Sequence, residues 1–431
     1  MKFKMQNKQN QLIERISVKH LVVGVDIAQQ FHVARAVNFR GIVVGDPFTF
    51  KNNEEGFTSL LKWIKNLQRL NNLDETIVGM EPTGHYWINL SKWLFDQNIE
   101  VVTVNPHLVK RNKENRDNTQ SKSDKKDALV IADMVKNGYY SEVRYASESF
   151  EKLRVLMSNR DVVVKRLVSS INQLNRWVDI VFPELRQVFK DITAKGAIAT
   201  LRLFPTPMEL ATKQPHEIIM GWKSLMKKQP GIKKAQLLLQ VAKNSIGSRQ
   251  ALDAYKFHLE QLLEEYDLAV KQLERVEKQV TAVLNKIPYA KKLLTIKGIS
   301  EISLAGILGE AGDISGFSHG NSLLRHAGLH LAEASSGKWK GQIVLSKRGR
   351  SRLRRFLYLV TMSLVMNNTE FQAIHSHNVK VKKIKKMKSI MKLIGKLTRI
   401  LVGIARRNES YNPEKVQALT PLAAWRMYII W

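Results

Sequence analysis

Between residues 20 and 140, short apolar runs alternate with longer amphipathic segments. HLVVGVDIA (20–28) is an apolar run carrying Asp26 near its end, the pattern of a buried strand. QFHVARAVNF (30–39) alternates as a second strand does. Arg40-Gly41 signals a turn, and IVVGD (42–46) reads as a third strand. EEGFTSLLKWIKNLQRL (54–70) has helical spacing through Phe57, Leu60, Leu61, Ile64 and Leu67. TIVGM (76–80) is a strand followed by Glu81 and the breaker Pro82-Thr83-Gly84. A helix over 85–97, a strand VVTV stopped by Asn105-Pro106, a polar basic loop and a helix from about Ser123 complete the region. Three hairpin-linked strands and then alternating helix and strand predict a mixed sheet with helices on its faces. Asp26 and Glu81 then both sit at ends of central strands, where open sheets place ligand sites.

The pattern changes near residue 150. Leu156, Val163, Leu167, Ile171, Leu174 and Val178 form one helical stripe. A second runs through Leu259, Leu262, Tyr266, Ala269, Leu273, Val276, Val280, Val283 and Ile287 in alternating steps of three and four. That spacing is a heptad seam, and it predicts a self-association coil; a helix packing within its own domain is the plainer alternative. Prolines 183, 205, 207, 215 and 230 break the stretch between, which reads as a helical linker. From 291 onward, LLTIKGIS places Gly298 between two helical patterns, as a phosphate-approaching helix-hairpin-helix arm or a simple interhelical turn. The predicted fold class is α/β plus all-α.

Charge narrows the choice of partner. The 431 residues carry 69 Lys+Arg against 38 Asp+Glu, a formal charge of +31. Such a balance points to a polyanion, nucleic acid first. Residues 338–407 hold nineteen Lys and Arg against one acid, Glu370. Phosphate contacts are expected there from Lys347, Arg348, Arg350, Arg352, Arg354 and Arg355, and elsewhere from Lys125, Lys126 and Lys297 beside Gly298. No apolar run of about 20 residues suggests a membrane span. The chain has no cysteine, which excludes disulfides, zinc-thiolate sites and cysteine catalysis. A soluble, reducing interior is the expected setting.

Asp124 and Asp127 stand three apart at a helix start, so both share one face. Alone they read as first-turn acids behind a Ser121 or Ser123 cap. Together with Asp26 and Glu81 they read differently. Four carboxylates on one sheet edge repel one another unless divalent cations offset the charge, and hard oxygen donors suit magnesium or manganese. His85, Tyr86 and Trp87 follow Glu81 and read equally as base-stacking groups or as core packing.

GVDIA, GMEPTGHYW, VVTVNPHLVK and KSDKKDALVIADM together resemble the amino-terminal domain of the DEDD insertion-sequence transposases, relatives of the Piv-type DNA invertases. The stretch from LLTIKGISEIS to RLRRFLY resembles that family's second conserved domain. The resemblance covers roughly 20–140 and 290–365. It implies a RuvC-like, ribonuclease H-type fold with Asp26, Glu81, Asp124 and Asp127 as catalytic, metal-holding tetrad. It also implies a serine nucleophile, Ser336 before Gly337 with Ser335 adjacent, where a Ser-Ser-Gly alone would read as a flexible turn. Partners implied are donor and target DNA, an element-encoded guide RNA, and further copies of the chain in a dimer or tetramer, with no membrane; the setting is bacterial cytoplasm, nucleoid-associated. The expected layout is a basic tail (1–19), the catalytic domain (20–148), a helical coiled-coil region (149–289), a mostly helical serine-bearing domain (290–410) and a tail (411–431). The competing readings are a junction-resolving nuclease using the same acids without the serine, a non-catalytic nucleic-acid-binding protein, and a sugar-kinase-like ATPase.

Overall fold

The computed structural model describes residues 2–112, 123–143, 147–228, 230–332, 335–336, 339–340 and 344–414. They fall into two compact units, Met1–Tyr145 and Ala146–Trp431.

Unit one contains, in order, α1 (Lys2–Glu14), β1 (His20–Asp26), β2 (Phe31–Val37), β3 (Val43–Lys51), α2 (Glu54–Asn71), β4 (Glu75–Met80), α3 (Trp87–Asp96), β5 (Glu100–Val104), α4 (Pro106–Asn112), α5 (Asp124–Lys136) and β6 (Tyr140–Glu142). The six strands form one mixed sheet in the order β3-β2-β1-β4-β5-β6. β1 pairs with β2 antiparallel and with β4 parallel, so the sheet changes character at β1. One face packs Phe57, Leu60, Ile64 and Leu67 of α2 and Leu90 and Leu94 of α3 against Leu21, Val23 and Val25. The other packs Val130, Ile131 and Val135 of α5 against Val22 and Ile77. The predicted mixed sheet with two covered faces is thus present. The basic tail is in part a helix: residues 2–14 are rich in the helix formers Lys, Gln and Met. That helix is tied down by Gln9, whose amide donates to the Asn137 carbonyl at 2.8 Å. Arg15, just beyond it, pairs with Glu100 and Glu142, each at 2.9 Å. Helix α4 and strand β6 were not predicted.

Unit two is helical. Its elements are α6 (Glu148–Val181), α7 (Leu185–Val188), α8 (Lys195–Leu203), α9 (Pro207–Ala211), α10 (Pro215–Leu225), α11 (Ile232–Lys243), α12 (Leu252–Leu284), α13 (Ala290–Leu294), α14 (Glu301–Ala311), a 3₁₀ turn (Ile314–Gly316) and α15 (Gly320–His326). Two short hairpins follow: β7 (Leu331–Ala332) pairs with β10 (Val344–Leu345), and between them β8 (Ser335–Ser336) pairs with β9 (Trp339–Lys340). Then come α16 (Ser351–Asn367), α17 (Thr369–Ser376), a π turn (His377–Val381) and α18 (Lys386–Arg407).

The two long helices α6 and α12 pack antiparallel. Trp177 donates to the Tyr255 carbonyl at 2.8 Å near one end, and Arg160 pairs with Glu277 at 2.7 Å nearer the other. This corrects the expected self-association coil. The heptad seam is buried inside the chain, Leu259 and Leu262 in one core with Leu174 and Trp177, Val276, Val280 and Val283 in another with Leu153 and Met157. Period 3.5 marks a narrow apolar contact between two long helices without saying whether the second belongs to another copy. The proline-broken stretch is not a linker either. Helices α7, α8, α10 and α11 close the first core with Phe189, Ile198, Leu201, Ile218, Trp222 and Leu238, and the buried Trp222 indole donates to Thr200 Oγ1 at 2.9 Å. The second core gathers α13–α18 around Leu304, Ile307, Leu353, Phe371 and Leu397.

Candidate active site

Two glycines in register build the site in unit one. Gly24 pairs with Gly79, two residues before Asp26 on β1 and Glu81 after β4. A side chain at Gly24 would strike the Ala128 carbonyl and the Ala132 amide; one at Gly79 would strike Val135 and Ile131. Both glycines therefore face α5, which lies directly on the sheet. Strand residues two apart share a face, so Asp26 and Glu81 emerge on the α5 side, one register step beyond the Val25–Met80 pair. Lys136, at the far end of α5, reaches Gly41 in the β2–β3 turn, beyond the Val22–Val37 pair. The helix thus runs back along β1, and its first turn, carrying Asp124 and Asp127, lies towards the C-terminal edge of the sheet. The repeated Gly-X-acid of GVD and GME was the sequence signal for this arrangement, and the sequence reading missed it.

Local bonds hold these residues. Ser123 caps α5, its hydroxyl accepting from the Lys126 N–H at 3.2 Å. Asp124 and Lys125 are exposed, whereas Asp127 is only 7% exposed. Glu81 is half-buried and accepts from the Thr83 hydroxyl. The turn after Asp26 is pinned from β2, where buried His32 accepts the Ala28 N–H on Nδ1 at 3.2 Å. Burial holds the His32 imidazole below the ordinary histidine range, which favours its neutral form. Trp87 packs on the core of unit one, while His85 is exposed and its ring lies 4.1 Å from that of Tyr86.

Among the described residues, no three His, Asp or Glu side chains stand close enough together to hold a metal ion. The donor chemistry of the tetrad does suit a hard divalent cation, because all four side chains offer carboxylate oxygen alone.

In unit two, Ser336 lies in β8 at the inner hairpin, its backbone paired with Trp339. Gly298 joins α13 to α14 at φ +106°, where a side chain would press on Leu364 of α16; Lys297 beside it is exposed. Of the six basic residues from 347 to 355, three are engaged within the unit. Arg352 donates to Asp161 at 2.8 Å and to the Met157 carbonyl at 3.2 Å, and pairs with Glu310 at 3.1 Å. Arg350 stands 3.9 Å from Glu310, and Arg354 donates to the Ala327 carbonyl at 2.8 Å. Lys347, Arg348 and Arg355 are exposed.

Comparison with known proteins bears on both units. A transposase family model matches residues 23–183, and the model described as "Transposase IS116/IS110/IS902 family" matches residues 290–376. The chain is 24% identical, over 57% of its length and 62% of the relative's, to an uncharacterized 44.8 kDa protein of insertion element IS116 from Streptomyces clavuligerus. It is 29% identical, over 26% of its own length and 32% of the relative's, to a pilin gene-inverting protein from Moraxella lacunata. A pilin gene-inverting protein from Moraxella bovis is 32% identical over 20% of this chain and 25% of its own length. The chain thus spans less than two thirds of each of these relatives. Two separate blocks, matched in order to transposase models, establish that the chain belongs to the IS116/IS110/IS902 family of transposases.

Proposed function

We propose that this chain is a DNA recombinase that moves or inverts DNA segments, with unit one as a RuvC-like, ribonuclease H-type nuclease. The observation that carries the reading is the Gly24–Gly79 register, which sets Asp26 and Glu81 on the same side of the sheet as the acidic first turn of α5. Asp26, Glu81, Asp124 and Asp127 would hold magnesium or manganese. When bound, such an ion supplies charge neutralisation at a scissile phosphate and an activated oxygen. The chain's own residues prepare that site: Ser123 fixes the first turn of α5, Thr83 orients Glu81, and His32 holds the turn behind Asp26.

Ser336 is the proposed nucleophile. Its Oγ forms a bond to phosphorus as the bond to a deoxyribose oxygen breaks; the serine proton passes to water, and the leaving oxygen takes up a proton. Attack by the hydroxyl of a second strand reverses the exchange and rejoins DNA. Phosphates of donor and target DNA would be met by Lys125, Lys126, Lys297, Lys347, Arg348 and Arg355. Sequence choice is assigned to an element-encoded RNA that pairs with both DNAs.

The test is strand cleavage and rejoining of element ends by the purified protein with its co-purifying RNA and magnesium. Asp127→Asn should lower both by on the order of a hundredfold, the scale for losing one charge-stabilising group. Ser336→Ala should abolish both cleavage and rejoining while DNA binding persists. Unimpaired cleavage by Ser336→Ala would favour the junction-resolving nuclease, and unimpaired cleavage by Asp127→Asn would remove the tetrad from the mechanism.

A further inference from the structure

The most basic helix of unit two borders a cavity that the proposed catalysis does not use. α18 has seven Lys and Arg and no acid. Lys392, Lys396, Arg399 and Arg406 follow one another at spacings of four, three and seven, and Gly403 stands between the last two. They therefore share one face of the helix. Where that face meets the start of α15, a cavity of about 460 Å³ is lined by residues 318–320 on one side and by Arg399, Val402, Gly403, Arg406 and Arg407 on the other.

Its construction favours an anion. Gly320 puts the α15 backbone directly against the backbone of Thr398 and Arg399, an approach that any side chain would prevent. Gly403 leaves the floor of the cavity without a side chain. Arg406 donates from Nη1 to the Ser318 carbonyl, which fixes its guanidinium at the rim with further N–H groups to offer. His319 accepts the Ser322 N–H on Nδ1 at 3.2 Å, so its neutral ring carries the proton on Nε2 as a donor. Glu409 pairs with Arg407 at 3.2 Å. Arg399 is exposed and makes no ion pair with an acid among the described residues. A monovalent anion with several acceptor oxygens fits these donors, and the Val402–Gly403 floor suits the apolar face of a sugar.

We infer that the cleft between α15 and α18 binds one phosphodiester of a nucleic-acid backbone, through Arg399, Arg406 and His319. The site is distinct from the basic run at 347–355, and rests on the nucleic-acid reading above. Full-length protein would be titrated by fluorescence anisotropy against a labelled DNA duplex and a labelled RNA hairpin, across salt concentrations of about 50 to 200 mM. Arg399→Ala should weaken binding roughly eightfold at about 0.1 M salt and flatten the log–log salt slope by about one, the counterion release of a single phosphate contact. Arg399→Lys should retain most of the affinity. Lys223→Ala, an exposed charge removed from α10, should change neither quantity appreciably. Loss in the duplex arm alone assigns the phosphate to DNA, and loss in the hairpin arm alone assigns it to RNA; either supports the site. Wild-type affinity and slope for Arg399→Ala in both arms, or an equal loss for Lys223→Ala, overturns it while leaving the recombinase reading intact. Failure of the wild-type protein to bind either probe would overturn both.

Discussion

At His32 a single ring links packing to the proposed chemistry. It is fully buried against Phe50 and Phe57, and its Nδ1 accepts the backbone N–H of Ala28, two residues past Asp26. Its folded pKa lies below the ordinary value of 6.5 because burial penalises the cation. The unfolded chain therefore binds more protons as pH falls through 6.5, and stability is lost in that window down to the folded pKa; above it the ring contributes no pH dependence. Urea midpoints at pH 7.5 and at pH 5.5 should differ by more in the wild type than in His32→Gln. An identical difference in the two proteins would show that His32 does not titrate on unfolding.

At the scale of the element, α5 is placed by what the sheet lacks. Two in-register glycines give the helix room to lie on β1 and β4, and the helix then carries its acidic first turn towards the strand ends. Gly24→Ala would set a methyl against the α5 backbone, a clash that no rotamer change relieves. The expected cost is about 3 kcal/mol of unit-one stability, at the upper end for overpacking, together with loss of strand cleavage as the first turn shifts. Gly79→Ala meets the Val135 side chain instead and should cost less. Denaturant melts of both variants would check the order, and a Gly24→Ala protein as stable as wild type would break the argument. The α5 cap contributes on a smaller scale, about 1 kcal/mol for a serine at this position.

Across the whole molecule, the α6–α12 pair ties two helical cores into one unit, and it uses the seam that would otherwise mark a surface for self-association. Val280 is fully buried in that seam. Val280→Glu should unfold part of unit two, lowering the melting temperature and helical circular dichroism. Sedimentation of the variant should not reveal a stable, smaller species with native helix content; that result would place the seam between chains. Any dimer or tetramer must form through another surface. The charge acts at this scale too, since +31 spread over the chain attracts polyanions at long range before any particular contact forms.

Strands β1–β5, the long helices and the acids at the strand ends were legible in the sequence because local periodicity records them. HLVVGVD and TIVGM have the apolar pattern of buried strands, and α2 buries Phe57, Leu60, Ile64 and Leu67 at the predicted spacing. The sequence alone also determined the basic character and, through its motifs, the resemblance to a transposase family. Partner choice had to wait for the tertiary structure. A heptad seam does not say which helix fills it, and α6 does. A run of arginines does not say which are engaged, and Arg352 is taken up by Asp161 and Glu310. The prolines between 183 and 230 punctuate short helices that only a shared core around Trp222 makes into one body. Periodicity is a property of one segment, whereas burial, ion pairing and close backbone approach belong to pairs of segments far apart in the chain, and only the fold brings those pairs together.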